Sequence, residues 1–175
     1  SSMLSFMTSK LLALVRQKWT PWVGAVVVLP ITALLLHFQG RIWSCACGKL
    51  YPWAGDIWTS HNSQHLFDPY SFTHVLHGVI FYGLLAWLVP RLTREWRFPL
   101  ATLLECGWEL LENSEIVIQR YRDSTASLGY AGDSIYNAMG DIVSCAAGFW
   151  VARYLGLRWS VVFIIVVELV LLAWI

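Results

Sequence analysis

Apolar runs, parted by short clusters of charge and turn-forming residues, set the pattern of this chain. They cover residues 22–38, 70–89, 99–118, 133–154 and 159–175. At a rise of about 1.5 Å per residue, each nearly crosses a hydrocarbon layer of roughly 30 Å, with help from flanking side chains. The pattern predicts an all-α, polytopic helical bundle with five transmembrane helices in one domain over residues 1–175. Pro30 is expected to kink the first helix and Pro90 to close the second. No small-residue cleavage pattern follows the first run, so it is expected to stay as an anchor. Ahead of it, residues 4–18 are mildly amphipathic and end on Arg16 and Lys18, as suits a helix lying on the cytoplasmic surface. Residues 39–69 are rich in turn formers, Trp and Tyr, which predicts a structured loop at the membrane interface.

Three of these runs are interrupted by groups that lipid does not tolerate. His74 and His77 lie in the second, Glu105, Glu109 and Glu112 in the third, and Asp133, Asn137 and Asp141 in the fourth. A carboxylate at mid-bilayer depth costs about 2.5–3.5 kcal/mol on insertion scales, so such groups must be protonated, paired or bound to a cation. The faces coincide. At 100° per residue the three glutamates fall within about 60° of one another, and Asp133, Asn137 and Asp141 within about 80°. Ser144 and Gly148 continue the second stripe and allow close helix packing. His74 and His77 share a face with Gly78 and Phe81. Counted from the helix ends, all three sets reach the same half of the bilayer, which predicts one polar pocket. The structural alternative is that these groups are satisfied polar contacts between helices; Glu168, alone in the fifth run, reads that way.

Composition and charge sharpen this picture. Hydrophobic residues make up 57% of the chain and charged residues 13%, where soluble domains carry about 25%. Mean hydropathy is +0.56. A net charge of +1, with no basic run interleaved with aromatics, excludes a nucleic-acid surface. On one side of the predicted bundle lie eight cations, Lys10, Arg16, Lys18, Arg91, Arg94, Arg97, Arg153 and Arg158; on the other lie four, Arg41, Lys49, Arg120 and Arg122. Positive charge gathers on the cytoplasmic side, so the N-terminus is expected inside, the C-terminus outside and the pocket in the outer leaflet of a bacterial inner membrane, facing the periplasm.

His, Asp and Glu together form the ligand set of zinc or another divalent ion. His74, His77, Glu112 and Asp141 are the candidate ligands, with His65 and Asp68 at the loop lip. The HVLH spacing lacks the glutamate of the HExxH motif. Without a metal, Glu109, Glu112 and Asp141 would supply a catalytic carboxylate pair, one protonated and one not. Arg120, Tyr121, Arg122, Asp133 and Asn137 are candidates for binding substrate, the arginines by forked hydrogen bonds to an anionic group. Cys45 and Cys47 stand two residues apart in the outer loop, where metal binding, pairing with another chain and plain packing are all open. Cys106 and Cys145 read as small apolar packers. There is no nucleophile elbow and no glycine-rich phosphate loop.

The blocks SQHLFDPYSFTHVLHG (63–78), WELLENS (108–114), IQRYRDST (118–125) and YAGDSIYNAMGD (130–141), in this order, closely resemble the bacterial membrane-protein family called domain of unknown function 2585, or UPF0314. The resemblance starts near the CxCG of residues 45–48 and runs to Glu168; it brings no activity with it. A fainter likeness is to VanZ-like membrane proteins, on which Glu109 or Glu112, Arg122, Asp133, Asn137 and Gly140 can be laid. That likeness implies cell-envelope lipid or peptidoglycan chemistry. The residues and the resemblance together point to a hydrolase or transferase acting on a lipid-linked or amphipathic substrate, metal-assisted if the histidines ligate. The competing class is a non-enzymatic accessory protein that binds lipid, metal or antibiotic.

Overall fold

The computed structural model describes residues 18–124 and 130–175. Residues 4–17 of the expected surface helix, and the middle of the polar loop near residue 127, lie outside the described residues. Within these residues five helices follow in order: α1 (Thr20–Phe38), α2 (Ser71–Leu88), α3 (Arg94–Glu112), α4 (Glu115–Ser124) and α5 (Ile135–Trp174). Among the described residues there is no strand, only an isolated bridge between Trp53 and Phe67. Among the described residues, three helices, α1, α2 and α5, are long and apolar enough to cross a membrane.

The bundle is apolar outside and polar within. Phe38, Val26, Leu34 and Trp87 are exposed, while His74, Glu105, Glu109, Asn137 and Asp141 are buried. Water would penalise both arrangements, and so much contiguous apolar surface marks a membrane-facing exterior. Helix α3 shows this best. Leu103 and Leu111 are 54% and 55% exposed, whereas Glu105 and Glu109 on the other face are both 0% exposed. Its charged residues keep it below the apolarity of the three candidate spans, although its outward face is as greasy as theirs. The expected third run to residue 118 breaks earlier, because Asn113 caps α3 through its backbone and side-chain N–H groups, both donated to the Glu109 carbonyl. The chain then restarts as the short helix α4.

Pro30 lies inside α1, which continues through it. Helix α5 runs 40 residues but departs from helical geometry at Gly156, where φ is 70° and ψ is 174°. A straight helix of that length would hold its ends about 60 Å apart. Instead the Trp174 ring lies 6.1 Å from Trp53, which lies 6.3 Å from Phe72, next to the Ser71 that bonds Asp141 near the start of α5. The chain therefore reverses at Gly156, whose positive φ suits a residue without Cβ. The two arms correspond to the runs expected at 133–154 and 159–175.

Helices α2 and α5 approach closely through two glycines. A Cβ on Gly78 would fall 1.9 Å from the Cys145 carbonyl oxygen, and one on Gly148 would fall 1.9 Å from that of Val75. Both obstacles are backbone, so neither can swing away. Gly148→Leu is expected to destabilise the protein by at least about 1–3 kcal/mol, measured as a lower midpoint of thermal unfolding in detergent. An unchanged midpoint would mean the helices are not this close.

Candidate functional site

The loop before α2 and the start of α5 build one end of the bundle together. Asp68 caps α2: Oδ1 accepts the N–H groups of Tyr70 (2.8 Å) and Ser71 (3.2 Å), and Oδ2 that of Ser63 (3.0 Å). Loop carbonyls receive the first N–H groups around the start of α5: Ser134 donates to Ser63, Ile135 to Ile42 and Tyr136 to Trp43. These donors would otherwise have no partner. Ser134 then caps α5 by accepting the Asn137 N–H at 3.1 Å.

With its start so fixed, α2 turns His74 and His77 toward α3. Nδ1 of His74 donates to Glu105 Oε1 at 2.5 Å, and Nδ1 of His77 lies 3.1 Å from Glu105 Oε2. One buried carboxylate thus holds two imidazoles, each with its proton on Nδ1 and its Nε2 left to accept or ligate. Nε2 of His74 faces Asp141 Oδ2 at 3.8 Å, too far for a hydrogen bond and close to the spacing of two ligands on one ion. Asp141 Oδ1 accepts from the Ser71 hydroxyl at 2.6 Å. Glu109 Oε1 is 3.3 Å from His74 Nδ1 without hydrogen-bond alignment, and neither Glu109 oxygen has a hydrogen-bond partner among the described residues. One ligand atom each from His74, Glu109 and Asp141 lie within 4.8 Å of one another; so do His74, His77 and Glu105.

Above this floor opens a cavity of about 410 Å³, lined by His74, His77, Trp108, Glu112, Tyr121, Tyr130, Asp133 and Asp141 among others. Its upper wall is a second polar layer. Asp133 accepts from Asn113 Nδ2 at 2.8 Å and from the Tyr130 hydroxyl at 2.9 Å, and its N–H donates to Asn113 Oδ1 at 2.7 Å. Burial pushes the Asp133 carboxyl above the usual carboxylate range, against the pull of Asn113 and Tyr130. Burial raises Asp68 likewise, with the Asp133 charge adding to it.

The residues expected from sequence do not all come together. His74, Glu109 and Asp141 meet at the floor. His77 joins them through Glu105, while Glu112 lies on the wall, where its Oε1 accepts from the Tyr121 hydroxyl at 3.4 Å. Asn137 is buried near the start of α5, with no hydrogen-bond partner for its Nδ2. Arg120 is exposed on α4, and Arg122 donates through Nε to the Tyr130 carbonyl at 2.5 Å. Asp68 has its oxygens taken by backbone N–H groups, and His65 belongs to another cluster, with His61, Cys45 and Cys47. Glu105, which sequence reasoning placed on the polar stripe but left out of the ligand and catalytic sets, is the residue that holds both histidines. It shares the stripe of Glu109 and Glu112, and its position one turn deeper was the available signal.

Inverted polarity, three spanning-length apolar helices and an acidic, histidine-containing cavity define a membrane-associated helical protein with a buried polar site. More particularly, the chain belongs to the family described as "Protein of unknown function (DUF2585)", which matches residues 36–175. It is 42% identical over 154 residues to a UPF0314 protein of Sinorhizobium fredii, covering 88% of this chain and 78% of that one. To a UPF0314 protein of Paracoccus denitrificans it is 41% identical, covering 83% and 75%. To one of Rhizobium meliloti it is 45% identical, covering 81% and 72%. No solved structure matches.

Proposed function

We propose that this protein crosses the bacterial inner membrane five times, with α3 as one span and the two arms of α5 as two more, and that its cavity opens to the periplasm. There it acts as a hydrolase or transferase on a lipid-linked or amphipathic envelope substrate, assisted by a divalent ion such as zinc. The observation that carries this reading is Glu109. It is a fully buried carboxylate without a hydrogen-bonding partner, beside a histidine and a second carboxylate on two other helices. An ionised group so placed is strongly unfavourable unless a cation or proton joins it.

The donor set fits a cation. His74, Glu109 and Asp141 would hold it, and Glu105 would fix the imidazoles in the tautomer that ligates. The ion would polarise an ester, amide or phosphoryl oxygen or activate a water. Glu112 and Asp133, on the cavity wall, would move protons. Tyr121 at the wall, with Arg120 and Arg122 on the same short helix, would recognise an anionic group.

Two measurements test the reading. Purified protein is expected to carry a divalent metal that His74→Ala loses, and to turn over a component of bacterial lipid extract. Neither metal in the cavity nor turnover would favour a non-enzymatic binding protein. Orientation rests on the cations Arg91, Arg94, Arg97, Arg153 and Arg158 at the end opposite the cavity. A Ser124→Cys variant is expected to react with an impermeant thiol probe from the periplasm, and Thr93→Cys only after the membrane is opened. The reverse pattern would turn the cavity to the cytoplasm.

A further inference from the structure

The loop over residues 39–69 holds a second cluster that the cavity does not use. Such a long connection without helix or strand needs something to fix its path. Much of its apolar surface faces outward: Ile42, Trp43, Leu50, Trp53 and Trp58 are exposed. Yet its two halves meet at four side chains, Cys45 and Cys47 from one and His61 and His65 from the other.

Cys45 Sγ lies 3.6 Å from His61 Nδ1, and His61 Nδ1 lies 3.0 Å from His65 Nε2. One ligand atom from each of the four residues lies within 4.8 Å of all the others. Tetrahedral zinc, with Zn–S near 2.3 Å and Zn–N near 2.05 Å, sets S···N edges of about 3.6 Å and N···N edges of about 3.3 Å. The backbone around the cluster is built to hold it. The Cys47 N–H donates to Cys45 Sγ at 3.3 Å. Between the histidines, Ser63 takes a positive φ of 58°, a conformation uncommon outside glycine; it keeps it because its N–H is fixed by Asp68 and its carbonyl by Ser134. Tyr51 lies beside the buried His65, with ring centroids 4.9 Å apart.

We propose that Cys45, Cys47, His61 and His65 form a four-coordinate structural site for zinc, separate from the cavity. Binding releases the two thiol protons. The ring proton that His65 shares with His61 moves to His65 Nδ1, and the long 3.3 Å contact from the Tyr51 N–H to that nitrogen is given up. The site has no open position for substrate, so its role is to clip the two halves of the loop together. That clip bears on the cavity, because Asn62 and Ser63, between the two histidines, line it, and Gln64 Nε2 donates to the Gly132 carbonyl.

Cobalt(II) tests the site directly, since only a thiolate ligand gives a sulfur-to-cobalt charge-transfer band in the near ultraviolet, and the cavity offers none. Reduced full-length protein stripped of metal by chelator, in detergent and titrated with cobalt chloride, is expected to develop a band that saturates at one thiolate site per chain and is lost to added zinc. The band should persist in His74→Ala, which alters only the cavity. It should lose at least half its intensity in Cys47→Ser, an exposed position where loss of fold is no concern, and cobalt affinity should fall at least tenfold in His61→Ala. No charge-transfer band in the reduced, metal-stripped wild-type protein would overturn the proposal. So would a Cys45–Cys47 disulfide found by mass spectrometry in protein alkylated directly from cells.

Discussion

Glu105→Ala is expected to be the most damaging single change at the site, lowering stability by about 3–5 kcal/mol, the usual loss when one partner of a buried charged contact is removed. Glu105 is 0% exposed and accepts from two imidazoles on α2. Its removal takes the acceptor from both histidine N–H groups, the buried one of His74 above all, and Glu109, 3.3 Å from His74, is not aligned to replace it. Glu105→Gln keeps one acceptor oxygen and the shape but brings an NH₂ group toward the second imidazole, so a smaller loss of about 1–3 kcal/mol is expected. Tryptophan fluorescence during thermal unfolding in detergent reads both. If the alanine variant melts with the parent, Glu105 is not the group that holds the histidines.

Glu109→Gln is expected to do the opposite to the fold and as much to the function. Neutralising a buried carboxylate without a partner removes a large desolvation penalty, so the chelated variant should be at least as stable as the chelated parent. With metal present the order should reverse. A ligand that binds only the folded state adds RT ln(1 + [L]/Kd), about 2.7 kcal/mol at a hundredfold excess over Kd, and the variant has lost a ligand. Asp141→Asn should behave alike, since the amide oxygen can still accept from Ser71. The comparison belongs in a Cys45→Ser, Cys47→Ser background, so that a chelator acts on the cavity alone. Parent and variants equally indifferent to chelator would remove the metal from the cavity and leave its acid–base or binding roles.

Much of this was legible in one dimension, because lipid imposes a simple rule. A helix that must satisfy its backbone internally and face hydrocarbon reads as a long apolar run, and any charge inside it is conspicuous. His74, Glu109 and Asp141 stood out for that reason, and helical spacing put Glu109 beside Glu105 and Glu112. The same rule misled at the end of α3. Hydropathy carries the run through residue 118, but the Asn113 side chain bonds both the Glu109 carbonyl and Asp133 across the bundle, and the helix stops.

The sequence by itself determined which residues face lipid, which are too costly to leave there, and that Gly148 permits close packing, because each follows from local spacing and transfer free energy. Only the tertiary structure decided which polar group met which. Helical periodicity cannot tell that the deeper glutamate takes both histidines while Glu112 goes to Tyr121, since that depends on the axial offset of α2 against α3, which local spacing does not encode. Nor can it bring Cys45 to His61, for an irregular loop has no period, and its register comes from hydrogen bonds to the far ends of other elements: Ile42 and Trp43 to the first turn of α5, and Ser63 to Ser134.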